Sequence, residues 1–103
     1  MSQVDDVLAA LADPMRRRIL DLVAAKGAAS ASVLAAELPV SRQAIVKHLG
    51  VLEKAELVAS ARAGRENNFS VRSGALDATA TWMASLASQW DTRLAAIKKA
   101  AES

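Results

Sequence analysis

Leu38-Pro39-Val40-Ser41-Arg42-Gln43-Ala44-Ile45-Val46-Lys47-His48-Leu49 is the stretch that decides the fold. Pro39 lacks a backbone donor and ends a helix. Two residues later Ser41 offers a hydroxyl that accepts backbone N–H bonds, the chemistry of an N-cap. Beyond it Ile45, Leu49 and Leu52 recur at i, i+4 and i+7, the inward stripe of a helix. On the upstream side Ser30 is another N-cap candidate, followed by Val33, Leu34 and Leu38, about two helical turns. Two short helices joined by so tight a turn read as a helix-turn-helix.

Working outward, Asp13-Pro14 starts a helix that runs to about Lys26 and stops at Gly27, with Ile19, Leu22 and Val23 as its inner face. Before it, Val4, Val7, Leu8 and Leu11 line one face of a short helix, about residues 3–12. On the other side, Leu57 to Arg62, the bend Ala63-Gly64-Arg65 and Asn67 to Arg72 read as a hairpin, with Phe69 and Val71 on one face. From Leu76 the helical pattern returns. Leu76, Ala80, Met83, Ala87, Trp90, Leu94, Ile97 and Ala101 are spaced alternately by four and three, a heptad seam on a helix of about residues 75–101. The expected fold is therefore mostly α with a small β-hairpin, in the order α-α-α-α-β-β-α. A hairpin directly after the second helix of a helix-turn-helix is a winged helix-turn-helix. Residues 1–103 form one domain, since a chain of 103 residues and 10.8 kDa leaves little room for a second core.

Composition narrows the function. Of the 54 hydrophobic residues 24 are alanine, which suits a small helical protein. No cysteine is present and only one histidine, so disulfides, thiolate metal sites and cysteine nucleophiles are excluded. No glycine-rich phosphate loop or nucleophile elbow occurs, and the acids are scattered, so neither an enzyme nor a cofactor is expected. The longest uncharged stretch, Ala78 to Trp90, falls short of the roughly 18 apolar residues of a membrane span. Acids rather than basic residues open the chain. These features point to a soluble cytoplasmic protein.

Charge is uneven: residues 14 to 72 carry ten basic and five acidic side chains, whereas the formal net charge of the whole chain is only +2. With Ile45, Leu49 and Leu52 inward, Arg42, Gln43, Val46 and Lys47 lie on the outer surface of their helix, near its N-terminal end. That end of a recognition helix reaches base edges. Arg and Lys suit guanine, Gln suits adenine, and an exposed valine meets a thymine methyl. Arg62 and Arg65 flank the hairpin bend, where a wing presents them to phosphate or the minor groove; protection of an edge strand by charge is the alternative. Arg16, Arg17 and Arg18 fan across about 200° of helix and are not one patch. One of them toward phosphate and one paired with a carboxylate such as Asp13 or Glu37 is the favourable split. His48 is expected to be partly inward. Trp90 lies in the seam and Trp82 beside it, on a helix longer than the remaining body covers, so part of the seam is expected to face a second copy.

The run Ala10-Leu11-Ala12-Asp13-Pro14-Met15-Arg16-Arg17-Arg18-Ile19-Leu20, the run 38–49 quoted above, Leu52-Glu53-Lys54-Ala55-Glu56-Leu57-Val58 and the Gly64-Arg65-Glu66 wing resemble the ArsR-type winged helix-turn-helix repressors of bacteria. The resemblance spans nearly the whole chain. It implies a homodimer on double-stranded DNA, bound to an inverted-repeat operator and released by an inducer, whose identity the sequence does not carry. It places Arg42, Gln43, Val46 and Lys47 at the base-reading positions, Ser41 and His48 in support, and Arg62 and Arg65 in the wing. The first and last helices become the dimer interface, with Val4, Leu8, Trp82, Met83, Trp90, Leu94 and Ile97. Metal-sensing members carry a Cys-x-Cys near the positions of Leu38 to Val40, or paired ligands on the last helix; neither is present here. A metal sensor using Asp77, Asp91 and His48, and a winged-helix adaptor that binds protein instead of DNA, are the rival readings.

Overall fold

A computed structural model describes residues 2–102, with element order α1 (Gln3–Leu11), α2 (Pro14–Lys26), β1 (Ala29–Ser30), α3 (Ala31–Ala35), α4 (Arg42–Lys54), β2 (Val58–Ala63), β3 (Glu66–Val71) and α5 (Gly74–Glu102). The caps expected from the sequence set the helix starts. Asp13 accepts from the N–H groups of Met15 (2.8 Å) and Arg16 (3.3 Å), with Pro14 at the first helical position. Ser30 caps α3 through Val33 N–H, and Ser41 caps α4 through Ala44 N–H at 3.1 Å. Gly27, at φ 81°, ends α2 in backbone space that a Cβ disfavours. α4 ends without glycine. Glu56 takes φ 62°, its N–H bonds Glu53 C=O, and Leu57 N–H bonds Leu52 C=O at 2.9 Å. This is a Schellman closure, sealed by the contact its ends make when Leu52 and Leu57 are both fully buried.

The core is one cluster. Val7 and Ala10 of α1, Ile19 and Val23 of α2, Leu34 of α3 and Ile45, Leu49 and Leu52 of α4 bury completely or nearly so, with Leu57 and Val58 closing it from the wing side. The α2 face turns slightly from the expected one: Leu20 is buried, and Leu22 is only partly so.

Two elements depart from the sequence reading. The hairpin is part of a three-stranded antiparallel sheet, order β1-β3-β2, because the two residues before α3 pair with β3, Ala29 opposite Phe69 and Ser30 opposite Asn68. Helix α3 is one turn and ends at Ala35, well before Pro39. Its C-cap Ala36 bonds back to Ser32 and Leu34, and the chain turns through residues 36–40. In the hairpin, Ala63 pairs with Glu66, leaving Gly64-Arg65 as a two-residue turn. Positive φ at Gly64 alone is the pattern of a II′ turn, whose twist matches the strands.

The last helix leaves the body. α5 buries Ala75 and Thr79, and α1 packs along its start, but every residue from 80 to 102 is exposed. The molecule measures 68 × 25 × 25 Å with a radius of gyration of 18.2 Å, against about 13 Å for a compact chain of this length.

Candidate nucleic-acid interface

The N-terminal half of α4 is split cleanly by its stripe. Ile45, Leu49 and Leu52 are fully buried, while Ser41, Arg42, Gln43, Val46 and Lys47 are exposed, Val46 by 47%. A valine left half-exposed beside Arg42 and Lys47 presents an apolar surface to whatever meets this face. His48 is half-buried at the edge of the stripe, as its spacing requires.

The wing comes up beside this helix. Between them lies a cleft of about 310 Å³ lined by Ala31, Arg42, Val46, Arg62, Arg65, Glu66, Asn67 and Phe69. It gathers Arg42 and Val46 from the helix with Arg62 and Arg65 from the wing; Gln43, Lys47, Ser41 and His48 lie outside its lining. Arg62 Nε donates to Gly64 C=O at 3.1 Å, so one wing arginine is folded over the turn. Three arginines around one concave surface make an electropositive groove suited to a polyanion.

In the sequence Ser32 carries no evident role, and Glu66 stands only as part of the wing motif. Glu66 sits in this groove, and Ser32 Oγ donates to Glu66 Oε1 at 2.6 Å. Arg42 Nε in turn donates to Ser32 Oγ at 3.0 Å. The signal was invisible because it depends on β1: carrying the β1–β3 register two residues further sets Ser32 opposite Glu66. A two-residue strand has no periodicity to detect.

Within the arginine triplet the expected pairing with a carboxylate is made by Arg16, and backbone carbonyls take up much of the rest. Arg16 pairs with Asp13 (3.6 Å), and its guanidinium also donates to Ala10 C=O (2.6 Å) and Ala9 C=O (3.1 Å). Arg17 Nη1 donates to Leu11 C=O at 2.6 Å. Both close the C-terminus of α1, whose last carbonyls lack helical partners. Arg18 lines a separate cleft with Asp21, Leu22, Ala25, Glu37 and Leu38, and Glu37 pairs with Lys26. Partial desolvation acts most strongly on the Asp13 carboxyl and raises its pKa. The N–H groups of Met15 and Arg16, the Arg16 charge and a smaller influence of His48 outweigh it, so the pKa lies below the ordinary value.

The other distinctive surface is on α5. Trp82 (43% exposed), Met83, Leu86, Trp90, Leu94 and Ile97 (63%) stand out from the helix, and on α1 Leu8 is exposed while Val4 is half-buried. Arg93 lies over the Trp90 ring, 5.3 Å from its centroid. Among the described residues no three His, Asp or Glu side chains gather to hold a metal ion. Asp77 and Asp91 are about 21 Å apart along α5, so one chain does not bring them together. No helix among the described residues is long and apolar enough to cross a membrane.

A helix-turn-helix domain family model matches residues 11–61, from the end of α1 into β2. The chain is 31% identical over 91 residues to the transcriptional repressor SdpR of Bacillus subtilis (strain 168), covering 88% of this chain and all of that protein. An ArsR-like transcriptional regulator from Rhodococcus sp. RHA1 superposes with a TM-score of 0.83 at 43% identity, over 94% of this chain and 91% of that one. The homodimeric winged helix-turn-helix DNA-binding domain of a possible ArsR-family regulator from Mycobacterium bovis superposes with a TM-score of 0.67 at 25% identity, over 82% and 78%. These relatives are transcriptional regulators, not enzymes. By sequence and by architecture, the chain belongs to the ArsR family of winged helix-turn-helix transcriptional regulators.

Proposed function

We propose that this protein is a homodimeric repressor that binds an inverted-repeat operator and does not depend on a metal. The observation that carries this reading is the groove in which Arg42 and Val46 of α4 meet Arg62 and Arg65 of the wing. Arg42, Gln43, Val46 and Lys47 read bases from the major groove, Ser41 fixes the helix start, His48 supports the helix from its flank, and the wing arginines hold the backbone. Two copies joined through α1 and α5 place their recognition helices in successive major grooves, with half-sites about 10 bp apart or a multiple of that. A homodimeric relative and the apolar face of α5 support the assembly. The lack of cysteine, a single histidine and the scattered acids support metal independence.

Fluorescence-anisotropy titration of the protein on its own upstream DNA and on a scrambled duplex, at two salt concentrations, tests the reading. Saturation at one dimer per inverted repeat is expected. Equal, weak binding to both duplexes overturns it. Arg42→Ala should reduce discrimination at one base pair per half-site by about 1–3 kcal/mol. Arg65→Ala, in the wing, should weaken binding to every sequence and lower the salt slope by about 1.

A further inference from the structure

We infer that Ser32 and Glu66 are specificity-determining positioning residues, which hold the Arg42 guanidinium in the orientation that reads its base pair; this rests on the base-reading assignment of Arg42 above. Three side chains from three elements form a relay. Glu66, the first residue of β3, accepts from Ser32 of α3, and Ser32 accepts from Arg42, the first residue of α4. Only Nε of Arg42 is engaged. Its two terminal amino groups have no hydrogen-bond partner among the described residues, so the fork that matches guanine O6 and N7 stays available.

Glu66 is otherwise hard to account for. A carboxylate in a groove lined by Arg42, Arg62 and Arg65 repels phosphate and weakens attraction to any duplex. That loss falls equally on all sequences. Orientation of Arg42 benefits only the sequence that its fork fits, because a long side chain held in place before binding has less rotamer freedom to lose. The acid therefore lowers general affinity and raises discrimination together. The same relay ties the wing to the recognition helix through α3, which fixes the width of the groove.

In vitro selection from a pool of randomised duplexes, run with the full-length wild-type protein, Arg42→Ala, Ser32→Ala, Glu66→Ala and Glu66→Gln, tests this. The wild-type preference defines the site, and the Arg42→Ala profile marks the base pair that Arg42 reads. Ser32→Ala and Glu66→Ala should flatten the preference at that same base pair by about five- to tenfold and leave the other positions intact. Glu66→Gln keeps an oxygen that accepts from Ser32, so it should retain the preference while binding a scrambled duplex more tightly than wild type. Full preference at that base pair in both alanine variants overturns the inference, as does a uniform flattening of all positions, the mark of a damaged wing. A wild-type protein that selects no sequence, or an Arg42→Ala profile identical to wild type, overturns the base-reading assignment itself and is told apart on that ground.

Discussion

Glu56 holds the left-handed conformation that ends α4, the one non-glycine residue with positive φ among the described residues. An L side chain there is strained by about 1 kcal/mol, and its carboxylate accepts from Gln3 Nε2 at 2.6 Å, tying α1 to this corner. Glu56→Gly removes the strain along with the tie, whereas Glu56→Ala removes only the tie. The glycine variant should be the more stable of the two by about 1 kcal/mol in urea denaturation, and equal midpoints would contradict this account. Asp13 makes a second prediction at this scale. Its pKa is lowered in the folded chain, so the stability it contributes is complete above its unfolded value, about 3.9, and is lost as pH falls through the lower folded value. Asp13→Asn still accepts the capping N–H bonds but has no charge to lose. Melting temperatures of the two proteins should converge as the medium is acidified below about pH 4 and stand apart above it.

Among the elements, those stated by local chemistry were legible. Ser41 with its i, i+4, i+7 stripe located α4, and Asp13-Pro14 with Gly27 bounded α2 to the residue. What escaped was set by partners distant in sequence. β1 exists only because Phe69 and Asn68 lie alongside it, and α3 is short because its C-cap hydrogen bonds close at Ala36, before Pro39 is reached. For the same reason the groove's arginines were foreseen and its glutamate relay was not. Charge patterning pointed to the pairing of an arginine with Asp13 but not to the carbonyls of Ala9 and Ala10 that Arg16 also reaches. Arg16→Ala should therefore behave as a loss of α1 docking: about 1.5–3 kcal/mol of stability gone, by analogy with hydrogen bonds from charged groups, and an unchanged salt slope of DNA binding. A slope lowered as in Arg65→Ala would reassign Arg16 to phosphate.

For the molecule as a whole, the decisive fact is that the 23 residues of α5 from 80 to 102 are all exposed. In proteins most helical stability comes from packing of an apolar face, and the one on this stretch has no cover within the chain. A second copy is the proposed source. Leu94→Glu, in the middle of the exposed apolar row, should raise the dimer dissociation constant by at least about 30-fold, roughly 2 kcal/mol, and lower helical circular dichroism at concentrations where wild type remains assembled. Sedimentation of the variant as an intact dimer would remove α5 from the interface.

Both tryptophans of the protein stand on this helix, and the chain contains no tyrosine. Intrinsic fluorescence is thus confined to α5, with Trp82 and Trp90 half in water and no aromatic emitter of that kind in the reading head. Burial of those rings on association should shift their emission to shorter wavelength as concentration rises. Substitutions in α4 or the wing should leave that spectrum alone. The chain carries an optical gauge of its own assembly, separate from DNA binding and in need of no label.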